Sequence, residues 1–140
     1  MNRDIFKFRV FDSTKKCYID NFSIMPDGTF TIFDFRFHEN TNPLTEDDGY
    51  TIEQCTGLKD RKGKLIYEGD ILSFGPGNIP YLVYVQWDIN QCRFIFRRFD
   101  IDQWQISINR DTASKMTIIY NIHDDQFRDV TENVDGKDGE

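Results

Sequence analysis

Residues 56–74, TGLKDRKGKLIYEGDILSF, decide how this chain folds. A polar turn at residues 60–63 and a second break at 68–70 separate two short apolar runs. Glycine tolerates positive φ and aspartate bonds nearby backbone amides, so five residues of the stretch are expected to build its turns: Gly57, Asp60, Gly63, Gly69 and Asp70. We expect a hairpin followed by the first strand of a barrel, and therefore a structural motif rather than the site of function.

The composition favours strands over helices. The chain has 140 residues with 13 Phe, 6 Tyr and 2 Trp, which supply enough large apolar surface for a core. Ala113 is its one alanine and leucine is scarce, whereas long helices depend on both. Isoleucine, phenylalanine, threonine and tyrosine suit pleated, half-buried surfaces. The sequence therefore predicts an all-β protein.

The N-terminal residues predict a β extension, which we place at residues 1–66 including the hairpin. Alternating apolar side chains predict strands at residues 5–11 and 17–25, joined as a hairpin, and a third strand at 29–37. This third strand changes parity near Phe33, which indicates either a bulge or burial on both faces.

A polar segment follows at residues 38–49. It has turn formers, acids and little to bury, and it predicts a surface loop with a short helical turn at residues 44–48. The loop is either a solvated connector or an adaptable binding loop, since loops commonly carry binding sites. Residues 50–55 predict a short strand that leads into the central stretch.

Residues 67–127 predict an SH3-like five-stranded barrel. The number, order and spacing of the strands fit this fold, with a turn compatible with a 3-10 helix before the last strand. The strands are expected at residues 71–74, 82–87, 93–98, 103–109 and 117–122. We expect the barrel and the N-terminal extension to pack as one compact domain, residues 1–127. Residues 128–140 have nothing to bury and predict a disordered acidic tail.

Three segments resemble the YopX family of phage and prophage proteins. They are KFRVFD at residues 7–12, CTGLKDRKGKLIYEGDI at 55–71 and IIYNIHD at 118–124, where Tyr120 replaces the family's glycine and His123 an aromatic residue. The resemblance implies a mainly β fold, self-association, and a small accessory protein in the cytoplasm of a bacterial host. It implies no catalytic residue, because the family has no established activity.

No group of residues predicts catalysis, so we expect a protein that is not an enzyme. A catalytic nucleophile needs a positioned base, and the sequence has no GxSxG motif and no Cys beside a His. His38 and His123 are the two histidines and lie far apart in the chain, so we expect no metal and no cofactor.

The three cysteines form no CxxC pair and are expected to stay reduced. No run approaches the roughly 20 apolar residues of a membrane span, and we expect a cytoplasmic protein.

Nucleic-acid binding is the alternative function. Four basic residues crowd the tip of the central hairpin, and three arginines follow a later strand beside aromatic side chains: Lys59, Arg61, Lys62 and Lys64, then Arg93, Arg97 and Arg98. The first 123 residues carry seventeen acids and fifteen bases, so the body is nearly neutral. Most of the net charge of −7 comes from seven acids and two bases in residues 124–140. The nearly neutral body disfavours a nucleic-acid binder with a strong basic field. It favours the alternative in which the basic hairpin tip is only a solvated turn.

An excess of aromatic residues favours protein–protein binding. Seven large side chains cannot all face inward in one small barrel, so either two sheets share them or some form an interface. These candidates are Phe33, Phe35, Phe37, Tyr81, Tyr84, Ile95 and Phe99. We expect the first partner to be a second copy of the chain and the next a protein of the host or the phage.

Overall fold

The computed structural model describes residues 2–74, 81–101 and 103–125. All strand pairings in these ranges are antiparallel, and the chain is all-β as predicted. Its contacts divide it into two compact units. The N-terminal unit is Lys7–Gln54, and the C-terminal unit comprises Met1–Phe6 and the chain from Cys55 onward. The predicted acidic tail at 128–140 lies outside the described residues.

The N-terminal unit contains five short strands and the first half of a sixth. They are β1 (Phe8–Asp12), β2 (Cys17–Ile19), β3 (Phe22–Ile24), β4 (Phe30–Asp34), β5 (Glu39–Asn40) and β6 (Tyr50–Lys59). β1 pairs with β2 as the predicted hairpin and also with the first half of β6. β3, β4 and β5 form a separate three-stranded sheet. The predicted helical turn in the polar loop is a 3-10 helix at Glu46–Asp48.

Three of the predicted N-terminal strands have different limits. The first begins later, because Arg3–Phe6 forms a 3-10 helix. The second is split into β2 and β3. Between them, the backbone oxygen of Asn21 accepts from the Phe33 amide at 3.0 Å, and the side-chain nitrogen of Asn21 donates to the Phe33 oxygen. The third ends at Asp34, whose carboxylate accepts from the backbone amide of Arg36 at 2.9 Å and starts a turn. The parity change at Phe33 therefore marks the approaching end of a strand and not a bulge.

The C-terminal unit contains the second half of β6, six further strands and one short helix. These elements are β7 (Leu65–Tyr67), β8 (Asp70–Phe74), β9 (Tyr81–Asp88), β10 (Arg93–Arg98), β11 (Gln105–Ser107), α1 (Arg110–Ser114) and β12 (Met116–Asn121). The last five strands form one sheet in the order β11-β10-β9-β8-β12. The five predicted strands therefore exist, although the fourth is shorter than residues 103–109.

The main hydrophobic cluster of the C-terminal unit lies on one face of this sheet. Alternation along β9 sends Val83 and Val85 to this face, as expected of a half-buried strand, whereas β10 buries Ile95 as well as Phe96 and is covered on both faces there. The cluster consists of Ile66, Leu72, Val83, Val85, Phe96, Ala113 and Met116. α1 contributes Ala113, and its first turn is closed by a reciprocal capping box between Asn109 and Thr112. In the contact pattern residues 55–66 belong with this unit.

Candidate functional site

The aspartate side chains in the turns of the central stretch form hydrogen bonds to backbone amides of the protein itself. Asp60 is 5% exposed, and its Oδ1 accepts from the amides of Lys62 and Lys64, both at 2.9 Å. Its Oδ2 accepts from the amide of Ile118 at 3.0 Å, so one carboxylate joins the β6–β7 turn to β12. Gly63 has φ 83°, which glycine adopts with the least strain.

The second break in the stretch is built in the same way. Asp70 is 3% exposed, and its Oδ2 accepts from the amide of Tyr67 at 2.8 Å. Gly69 has φ 79°; its amide donates to the Val85 oxygen at 3.1 Å and its oxygen accepts from the Ile122 amide at 2.9 Å. Gly57, with φ 82°, lies where the register of β6 against β7 shifts.

The seven candidate interface residues do not form one surface. Ile95 is fully buried in β10, an inner strand of the sheet, so its assignment to an interface was wrong. Tyr81 packs against the C-terminal core, and Tyr84 stacks on Phe99 with ring centroids 4.6 Å apart. These side chains contribute to the C-terminal unit itself. Phe33, Phe35 and Phe37 all lie in the N-terminal unit, at the end of β4 and in the turn after it.

The turn between β4 and β5 exposes large apolar surface. Phe35 is 68% exposed and Phe37 is 66% exposed, and the rings of Phe33 and Phe35 meet edge to face at 4.9 Å. The guanidinium of Arg36 lies 5.5 Å from the Phe37 ring and 3.1 Å from the Asp34 carboxylate. This hydrogen-bonded partner holds the pKa of Asp34 below its usual value. We call residues 33–37 the aromatic turn.

A cleft opens beside the aromatic turn. Its volume is about 470 Å³, within the range of small-molecule and peptide sites. Phe33 and Phe35 line it with Ile19, Ile32 and Tyr50, and polar groups complete the wall: Asp12, Lys15, Asn21, Asp34, Arg36 and Thr41. Burial, then the nearby carboxylates of Asp12 and Asp48, raise the pKa of the Tyr50 phenol. The cleft therefore offers aromatic contacts with both signs of charge at its edge.

Most residues of this cleft could not be predicted from the sequence. They come from β1, β2, β4, β6 and the segments between strands, and no local motif brings them together. The same holds for Glu53, a buried carboxylate on β6 that accepts from Arg9 Nε and from the Tyr18 hydroxyl, both at 2.7 Å. Only the pairing of β1 with β2 and β6 creates that contact. The sequence shows only an acid within one predicted strand and an arginine within another.

The described residues present no group of three or more metal-ligating side chains. Cys17 and Cys92 are exposed and Cys55 is buried, and all three are free thiols. Across residues 2–74, 81–101 and 103–125, no helix is long and apolar enough to cross a membrane.

Comparison with known proteins gives the family. The model of the YopX family, described as YopX protein, matches residues 7–126. The chain belongs to the YopX family. A solved structure, that of protein EF1440 from Enterococcus faecalis, matches it with a TM-score of 0.55 at 23% identity, covering 84% of this chain and 92% of that one. This similarity shows that the two proteins share a fold and assigns no function to this chain. No curated protein matches this YopX family member.

Proposed function

We propose that this YopX family chain is a non-enzymatic accessory protein of a phage or prophage that acts in the bacterial cytoplasm by binding proteins. The observation that carries the proposal is the aromatic turn, in which Phe35 and Phe37 are each about two-thirds exposed. Contiguous exposed aromatic side chains mark protein-binding surfaces, because their burial removes much apolar area from water.

A second copy of the chain is the first partner we propose. In a twofold dimer the same patch faces itself, so a charged patch would repel its copy. The aromatic turn avoids this, because Asp34 and Arg36 neutralise each other at 3.1 Å. A protein of the host or phage is the next partner proposed for the same surface.

We further propose that β8 to β12 form an SH3-like barrel. The first strand of the sheet, β8, lies between the last, β12, and the second, β9, and the short helix α1 precedes the last strand. This order supports an SH3-like closure. Such a barrel would serve as the rigid part of the protein.

Sedimentation velocity tests self-association. We expect the wild-type chain to shift from monomer to dimer between about 1 and 100 μM, the range for micromolar affinity. Replacing both exposed rings, Phe35→Ser with Phe37→Ser, should leave a folded monomer. Phe6→Ser is the matched control, because Phe6 is an aromatic residue with 60% exposure outside the turn, and it should dimerise normally.

A wild-type chain that stays monomeric over the whole range would remove the self-association proposal. A dimer that persists in the double variant would place the interface elsewhere.

A further inference from the structure

The tip of the β6–β7 hairpin concentrates positive charge. Four basic side chains between residues 59 and 64 are exposed: Lys59, Arg61, Lys62 and Lys64. Within the described part of the chain none of them forms an ion pair. The one acid in the segment, Asp60, is buried and its carboxylate is occupied by three backbone amides.

The backbone that carries these cations is fixed. Asp60 and Lys64 are paired across the turn by an amide-to-carbonyl bond of 2.8 Å, and the Gly63 amide donates to the Asp60 oxygen at 3.0 Å. The Arg61 amide donates to the Met116 oxygen of β12 at 2.8 Å. A charged turn held in this way loses little conformational freedom when it binds, which favours association.

The charge of the tip stands out against the rest of the body. Outside this segment, residues 1–123 contain sixteen acids and eleven bases. Salt screens charges beyond about 8 Å at physiological ionic strength, so a ligand at the tip responds to the local cations more than to the net charge. The site therefore selects an anionic ligand on a protein that is acidic overall.

The side chains at the tip indicate which anion. Residues 59–64 contain no apolar or aromatic side chain, whereas protein interfaces depend on buried apolar or aromatic anchors. A phosphodiester backbone needs only cations and hydrogen-bond donors, and the Arg61 guanidinium can bind one phosphate through two donors. We propose that the β6–β7 tip binds the phosphate backbone of nucleic acid without reading its sequence. This site is separate from the aromatic turn.

Fluorescence anisotropy with a labelled duplex and a single strand of equal length tests the proposal. Contacts with four phosphates predict a slope of about −3.6 in log K against log salt on duplex DNA and a shallower slope on the single strand. Duplex affinity should therefore fall roughly 100-fold between about 50 and 200 mM salt. Changing the base sequence should leave the affinity unaltered, because phosphate contacts carry no sequence information.

Two triple variants locate the site. Arg61→Gln with Lys62→Gln and Lys64→Gln removes three charges from the tip, and we expect binding at low salt to fall at least 10-fold. The control, Arg3→Gln with Lys16→Gln and Arg110→Gln, removes the same net charge from three other exposed positions and should bind almost normally. Lys62→Arg with Lys64→Arg retains the charge and should retain the binding. Thermal melting checks that each variant is folded.

Three outcomes would overturn the proposal. The first is an absence of binding at the lowest salt, and the second is an equal loss in both triple variants, which would reflect net charge alone. The third is equal, tip-dependent binding of a poly-glutamate peptide of the same charge, which would make the partner an acidic protein. The tip variant should still dimerise and the Phe35→Ser, Phe37→Ser variant should still bind DNA, so this proposal and the proposed self-association fail independently.

Discussion

At the scale of single residues, Asp60 joins parts of the chain that are far apart in sequence. Its carboxylate accepts from amides in the β6–β7 turn and from Ile118 on β12, 58 residues away. A carboxylate that accepts several amide hydrogen bonds while buried is worth more than a surface ion pair, because each amide would otherwise lose its partner. The family motif therefore has a physical reason that needs no ligand.

Replacing Asp60 with alanine should destabilise the fold by about 3 kcal/mol or more, because three backbone amides lose a charged acceptor in a buried position. Asp60→Asn should cost less, since the amide oxygen can still accept from Lys62 and Lys64. Asp111→Ala is the matched control, because that side chain is 78% exposed in its pair with Lys115, and it should change stability by no more than about 0.5 kcal/mol. Urea unfolding measures all three. An Asp60→Ala loss as small as that of Asp111→Ala would contradict this role.

At the scale of elements, the strands of the C-terminal sheet could be predicted from the sequence. Val83 and Val85 alternate along β9 because one face packs on the core, and that alternation is present in the residues themselves. In β10 the neighbouring residues Ile95 and Phe96 are both buried. The limits of the N-terminal strands depend on the side chains of Asn21 and Asp34, which bond backbone and end strands that the apolar pattern would continue. Burial of Ile95 was not predictable, since alternation along one strand does not say whether its second face is covered.

The candidate site was harder to predict than the fold. Phe33, Phe35 and Phe37 are candidate interface residues from the sequence because they lie close together in it, but the predicted strand at 29–37 ends at Asp34 and leaves the last two in a turn. The cleft beside it was missed, because its walls come from four separate segments. The basic tip was visible in the sequence, but only the structure shows that Asp60 is buried and that, among the described residues, the four cations form no ion pair.

The two glycines of the β6–β7 hairpin, Gly57 and Gly63, differ in the space available for a side chain. A Cβ at Gly63 would meet nothing within 4 Å, so substitution there adds only the strain of positive φ. A Cβ at Gly57 would lie 2.6 Å from Ile5 Cγ2 as well as at positive φ. We expect Gly63→Ala to cost about 1 kcal/mol and Gly57→Ala clearly more, while Gly63→Asn should cost least because asparagine tolerates this region. Thermal or urea unfolding ranks them, and equal losses at both positions would argue against the contact with Ile5.

At the scale of the whole molecule, the two units bury very different amounts of apolar surface. Among the described residues, the N-terminal unit has three buried hydrophobic side chains: Val10, Phe11 and Phe30. The C-terminal unit has ten: Cys55, Ile66, Ile71, Leu72, Val83, Val85, Ile95, Phe96, Ala113 and Met116. Segments with few buried contacts open at lower free energy than the core. The N-terminal strands should therefore open in a step that leaves the C-terminal sheet intact.

Native-state hydrogen exchange tests this difference directly. Amides of β3 and β4 should exchange with an opening free energy at least about 1–2 kcal/mol below that of β8, β9 and β10. Phe30→Ala removes a fully buried ring that packs on Tyr50, and it should speed exchange in the N-terminal unit alone. Leu72→Ala, in the C-terminal core, should speed exchange of the β8, β9 and β10 amides. Uniform protection, changed equally everywhere by Phe30→Ala, would instead mean that the chain unfolds as one cooperative unit.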